Sequence, residues 1–281
     1  MLLVSTGCNS QPGAAVVVGG TTISESAVQQ DATAFLTQNP SVTPTDATRT
    51  LANRAQITFR VRHVLIQRAL AAAGVTVTAA QVSSATASLK AQQGQSLAAQ
   101  LDLPASAEPD VIHDLVALQS LVSALPAAGV KVADVKVTAQ GVTAANRDEA
   151  VTLRSRFLAD PGAMDQAGAA APQGQGVPRK AFDLVQQPQL GSTGLFQPST
   201  GGVFILPQTD NYLVLRTSGR TESTTTLDAS RFSSISGVGD AFDVGALLVS
   251  GQQGSAGISV NPRFGIWDST SVQVVPGNSG L

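Results

Sequence analysis

The sequence predicts an α+β protein, mainly helical, in which a small α+β segment interrupts a helical module that is discontinuous along the chain. Three observations predict this class. Apolar residues recur at helical spacing from about residue 24 to 125 and again over 228–249. Between about 130 and 220 the pattern changes to alternation and short apolar runs, as in VKVADVKVT, GVFIL and NYLVLRT. A final apolar piece, 271–275, reads as a closing strand. The 281 residues are enough for one or two domains. The segments expected are a tether at 1–13, a helical part at 14–130, the insert at 131–221, and a helix and strand at 222–281 that complete the helical module.

In chain order, 14–18 (AAVVV) reads as a short buried strand, followed by a turn at Gly19-Gly20-Thr21-Thr22. Ser24 is placed to cap a helix running to about Thr37, which Asn39-Pro40 ends. Thr45 or Asp46 caps the longest helix, about Ala47 to Ala73, with Ile57, Val61, Val64, Leu65 and Ala69 on one stripe. Gly74 ends it in the manner of a left-handed C-cap. Its arginines, Arg49, Arg54, Arg60, Arg62 and Arg68, read as side chains that snorkel and pair while the aliphatics pack. Further helices are expected over 79–93 and 108–125, the latter with Val111, Leu115, Leu118 and Val122 on one face. The insert begins with a strand at 130–138 and continues with helices at 146–159 and 163–171. PQGQGVPRKAF reads as a loop, and 202–206 with 211–217 as a hairpin around Thr209-Asp210. SGRTESTTT reads as a polar link before the helix at 228–249, which Gly237 and Gly239 loosen. The closing strand is expected to pair with 14–18. Asn261 to Gly265 would form a turn that sets Phe264 and Trp267 against that junction.

Composition sets bounds on function. Charged residues are 13% of the chain, about half the usual share, and the net charge of −2 gives no basic excess to argue for nucleic acid. No run of 18 apolar residues exists to span a bilayer. A single cysteine excludes an internal disulfide. His63 and His113 have no cysteine near them in sequence, so no structural zinc set is expected. A Ser-His-Asp arrangement would need one of these histidines as base, but both read as surface or satisfied helical residues. Arg62 beside His63 would disfavour its charged form.

That single cysteine stands in Ser5-Thr6-Gly7-Cys8, which resembles a bacterial lipobox, with Val4 as the nearby aliphatic residue. NSQPGAA after it reads as a flexible polar tether. The resemblance implies a signal peptide whose basic start is missing from this chain, a diacylglyceryl group on Cys8, and anchoring to the outer face of the cell membrane. The alternative is a free thiol in a frayed terminus.

Three stretches resemble the SurA/PrsA-like exported foldases, as lipoproteins with a SurA N-terminal domain. They are VVVGGTTISESAV, RTLANRAQITFRVRHVLIQRALAAAGVTVTAAQV and VNPRFGIWD. The segment LRSRFLADPGAMDQAGAAA with GLFQPSTGGVFILPQTDNYLVLRTSGR is similar in outline to a parvulin domain. The resemblance implies a folding factor that holds unfolded or nascent exported polypeptides in an apolar helical cradle, with no cofactor, no metal and no nucleic-acid partner. Candidate groove residues are Phe59, Leu65, Leu115, Leu118, Phe182 and Phe196. Parvulin sites usually hold paired histidines and a Cys or Asp, but 130–220 contains neither histidine nor cysteine, so no catalytic residue is assigned. Phe157, Met164, Phe182, Phe196 and Phe204 read first as core. An active prolyl isomerase is the enzymatic alternative, and a non-catalytic envelope-binding surface lipoprotein is the structural one.

Overall fold

The computed structural model describes residues 12–92, 96–170, 176–193, 195–196, 201–207, 211–233 and 238–277. Cys8, the Thr209-Asp210 turn and Gly237 lie outside the described residues. The protein is α+β. The chain forms β1 (Ala14–Val18), β2 (Thr21–Ser24), α1 (Glu25–Gln38), α2 (Asp46–Ala73), α3 (Ala79–Gln92), α4 (Leu97–Gln100) and α5 (Glu108–Ser123). It continues through β3 (Val130–Ala144), α6 (Arg147–Ala159), α7 (Gly162–Ala170), β4 (Gly176–Asp183), β5 (Val203–Pro207) and β6 (Tyr212–Leu227). It ends with α8 (Ala229–Ser233), α9 (Val238–Val249), α10 (Gln253–Ala256), β7 (Ser259–Val260), β8 (Ile266–Asp268) and β9 (Gln273–Val275). Two compact units result. One comprises the chain up to Ala124, Gly251–Trp267 and the residues from Pro276 on; the other comprises Leu125–Ser250 and Asp268–Val275.

The first unit starts from local signals that the sequence carries. Ser24 Oγ accepts from the Ala27 amide at 3.2 Å and caps α1, whose Val28, Ala32, Phe35 and Leu36 fall on one buried face. Thr45 and Thr48 exchange backbone and side-chain hydrogen bonds in a capping box that starts α2. Gly74, at φ 64°, closes the helix in the left-handed region. Ile57, Val61 and Leu65 make the fully buried stripe of α2. β1 lies between β2 and β7, antiparallel to both, with Val16 opposite Ile23 on one side and Val260 on the other.

The returning segment is held by polar contacts as well as by β7. The Asn261 amide donates to Ala15 O at 2.9 Å, and its side-chain amide donates to Ala14 O at 3.3 Å and Glu25 Oε1 at 2.7 Å. Arg263 pairs with Glu25 Oε2 at 2.7 Å. From α2, Arg54 Nε donates to Phe264 O at 2.8 Å and Arg68 reaches Ser255 O at 3.3 Å. Phe264 is buried, and Trp267 Nε1 donates to Gln253 Oε1 at 2.7 Å. The expected turn at 261–265 is therefore present. The strand that joins β1 is 259–260, not the closing piece 271–275, because Asn261 satisfies the backbone of β1 just beyond β7.

The second unit is a four-stranded antiparallel sheet in the order β4-β3-β6-β5. β3 and β6 pair over their whole length, from Val130 opposite Leu227 to Ala144 opposite Tyr212. One core contains Val135, Phe182, Leu184, Phe196, Leu215 and Leu227 together with Val244 and Leu247 of α9; Phe204 packs against it. A second core gathers Val142, Ala150, Phe157, Met164, Val203 and Val214.

Three expectations are corrected here. GVPRKAFD is not a loop but the edge strand β4, and an edge is where a proline such as Pro178 is tolerated. SGRTESTTT is not a link but the outer half of β6, a Thr/Ser-rich and largely exposed strand that β3 pairs. The helix at 228–249 does not belong to the helical module. Its described parts are α8 and α9, and Val244 and Leu247 fill the core of the sheet unit, which therefore spans 125–250 instead of ending at 221.

Two substitutions test these placements. Asn261→Ala removes two side-chain bonds to β1 and α1 and is expected to destabilise the first unit by about 1–3 kcal/mol, read as a lower unfolding temperature. A Cβ on Gly141 would come within 2.0 Å of Val214 O across the β3–β6 pair. Gly141→Ala is therefore expected to disrupt the sheet, seen by circular dichroism as lost strand signal and a sharply lower midpoint.

Candidate functional site

α2 faces β2, α1 and the start of α5 across a cleft of about 250 Å³ within the first unit. Ile23, Phe59 and Val64 give it apolar surface. Asp31, Arg60, His63 and Asp110 give it charge, and Gln56 and Ser106 add neutral polar groups. The helical period of α2 brings Gln56, Phe59, Arg60, His63 and Val64 to one side, since residues three and four apart share a face. Arg60 pairs with Asp31 of α1. Gln56 is buried and donates through Nε2 to Asp102 O at 3.0 Å.

His63 is fixed from behind. Its Nδ1 donates to Asp114 Oδ1 at 2.8 Å and Oδ2 at 2.9 Å, and Asp114 is fully buried on α5. A buried carboxylate needs such donors. His113 stands near the same group, its Nδ1 3.5 Å from Asp114 Oδ1 and from Gln67 Nε2. With Nδ1 committed to Asp114, the remaining ring nitrogen of His63 is free to accept when the ring is neutral and to donate when it is charged. The Asp114 hydrogen bond holds His63 above the ordinary imidazole pKa. Burial works against that rise, Asp110 adds to it and Arg60 opposes it. The sequence expectation that Arg62 would disfavour the charged ring is thus reversed, because the carboxylate in direct contact outweighs a neighbour along the chain.

The candidate groove residues separate. Phe59 lines the cleft and Leu115 is half-buried on α5. Leu65 and Leu118 are sealed in the first unit, and Phe182 and Phe196 in the core of the second, so none of these four offers surface to a ligand. The cleft also departs from a wholly apolar cradle, since half its charged groups are carboxylates. Among the described residues the exposed large apolar side chains are Leu51, Val151, Leu158 and Ile266. Cys8 lies outside the described residues.

Sequence reasoning passed over Asp114, Asp110, Asp31 and Gln56. Asp114 carried a signal: it falls between Val111 and Leu118 on the buried side of α5, where an acid without a partner would be costly. His63 on the facing helix was the partner to look for. Among the described residues no hydroxyl or thiol is hydrogen-bonded to either histidine, and no three metal-ligating side chains converge. Nor is any described helix long and apolar enough to cross a membrane.

No family model matches the chain, and no curated protein matches it.

The His63–Asp114 bond makes stability depend on pH. A raised folded pKa means that the contribution is complete below the unfolded value of about 6.5 and is lost as pH rises through the higher folded value. Unfolding temperatures measured from pH 5.5 to 8.5 are expected to fall more steeply on the alkaline side for the native chain than for His63→Gln. Identical slopes for the two would contradict the assignment.

Proposed function

We propose that the protein is an exported, lipid-anchored folding factor of the SurA/PrsA-like kind, which holds unfolded polypeptide segments without catalysing a reaction. The observation that carries this reading is the cleft beside α2, which Phe59, Val64 and Ile23 line together with Arg60, His63 and Asp110. Its volume is near the lower end for ligand pockets, about 300–1,000 Å³, which fits a few side chains of an extended segment better than a large cofactor. The helical unit around it is discontinuous, as the resemblance requires, and closes through β1 and β7. The four-stranded sheet of the second unit, with α6 and α7 after its first strand, supports the parvulin-like outline. The absence of histidine and cysteine from 130–220 supports a non-catalytic role for it. Anchoring rests on the Ser5-Thr6-Gly7-Cys8 context alone.

The test follows light scattering from an aggregating, unfolded client. The full chain at stoichiometric excess is expected to suppress the signal, and Phe59→Asp to weaken that suppression. No suppression at any ratio would overturn the reading. A proline-limited refolding reaction separates holding from turnover: the slow phase, tens to hundreds of seconds, is expected to stay unchanged at low molar ratio. Its acceleration there would establish the prolyl isomerase alternative instead.

A further inference from the structure

The second unit has its own cleft, of about 430 Å³, lined by Gln140, Asp165, Arg179, Arg216, Thr217 and Ser218. Three neighbouring strands build it. Gln140 on β3 stands opposite Arg216 on β6, and Arg179 comes from β4 on the other side. Both pairings are irregular at this point. Between Ala139 and Gly141 of β3 the register on β4 steps from Lys180 to Val177, so Pro178 and Arg179 together oppose Gln140. Between Thr138 and Ala139 the register on β6 steps from Gly219 to Thr217, leaving Ser218 as the extra residue. A β-bulge bends its strand and re-aims side chains, and bulges concentrate beside functional sites. Here two bulges flank the same few residues of β3, and each contributes a lining residue, Arg179 and Ser218.

One guanidinium donor in the cleft has no protein partner. Arg216 Nε is buried and has no hydrogen-bond partner. Arg179 Nε donates to Gln140 Oε1 at 3.3 Å, and Gln140 in turn donates to Asp165 of α7. Gln140 thereby orients Arg179 and occupies Asp165. Among the described residues neither arginine has a carboxylate within ion-pair distance. A planar guanidinium presents donors in a fixed fork that matches a carboxylate, and a buried donor without a partner is costly until a ligand satisfies it.

We propose that this cleft is a carboxylate-binding site that takes an acidic side chain or the free C-terminus of a polypeptide, held by Arg216 and Arg179. The peptide character of the ligand rests on the reading of the protein as a polypeptide-binding factor; the carboxylate recognition does not. Ser218 and Thr217 lie on the same lining, with their hydroxyls donating to Thr138 O at 3.4 Å and Gly202 O at 3.5 Å, so the charge-assisted contacts fall to the two arginines.

The experiment uses the full chain and three fluorescently labelled peptides of one sequence, followed by anisotropy. The first carries a glutamate and an amidated end, the second a glutamine and an amidated end, and the third a glutamine and a free end. The second is expected to bind at least about tenfold more weakly than the better of the other two, and comparing the first with the third tells which carboxylate source is preferred. Arg179→Gln, an exposed position, is expected to reduce the acidic peptide to the level of the amidated glutamine peptide. Arg216→Lys keeps the charge but loses the fork and is expected to do the same; if that variant fails to fold by circular dichroism, Arg179→Gln decides. Equal affinities for all three peptides, or an Arg179→Gln chain that still prefers the acidic one, would overturn the proposal. Loss of carboxylate preference with client aggregation still suppressed would sink this site alone. Carboxylate preference without suppression would leave the site standing and sink the folding-factor reading.

Discussion

The first unit depends on one long-range closure: the return of 251–267 to β1 and α2. Asn261 bonds to Ala14 from 247 residues away along the chain. Closing such a loop has an entropic cost, although that cost grows only slowly with loop length. β7 is two residues long and cannot repay it alone. The contacts added by Asn261, Arg263, Phe264, Arg54 and Arg68 turn a minimal strand pair into a seam. Two of the helix arginines expected to snorkel and pair, Arg54 and Arg68, therefore hold the returning segment to α2. The cleft inherits this constraint, since β2 and α2 both line it and both border the seam.

Within that frame the cleft is electrostatically set by Asp114. A fully buried carboxylate on α5 orients His63, which also lines the cleft. The same helix supplies Asp110 at the cleft wall, one turn earlier. Helical periodicity thus distributes two acids of α5 between two tasks, one structural and buried, the other exposed to whatever enters.

Much of this was legible in the sequence. Caps and stops, namely Ser24, Thr45 and Gly74, marked helices within a few residues, because their chemistry is local. The discontinuity was legible only in part: the turn at 261–265 was placed at the β1 junction, while 228–249 and 271–275, expected to return to the helical module, belong to the sheet unit. What failed was of another kind. β4 and the outer half of β6 carry polar or proline-containing sequence whose strand character comes from pairing with β3, not from its own pattern. α9 buries Phe242, Val244, Ala246, Leu247 and Val249 on several sides, and an apolar helix does not announce which core it joins. Val272 adopts φ 55°, a conformation no local signal in a β-branched residue foretells. At the cleft, apolar residues were easy to nominate, but burial decided between lining and core: Phe59 lines the cleft while Leu65, on the same helix, is fully buried.

The central claim is that a unit closed by β1 and β7 presents the α2 cleft to an unfolded chain. Hydrogen exchange resolved by residue, with and without a permanently unfolded client, tests both halves together. The account predicts slow exchange in either condition at Val17, Ser259 and Asn261, whose amides face the opposite strand of the β1–β7 pair, and new protection confined to 56–64 and 106–110 when the client is added. Rapid exchange at the β1–β7 pair, or client-induced protection that leaves 56–64 unchanged, would contradict it.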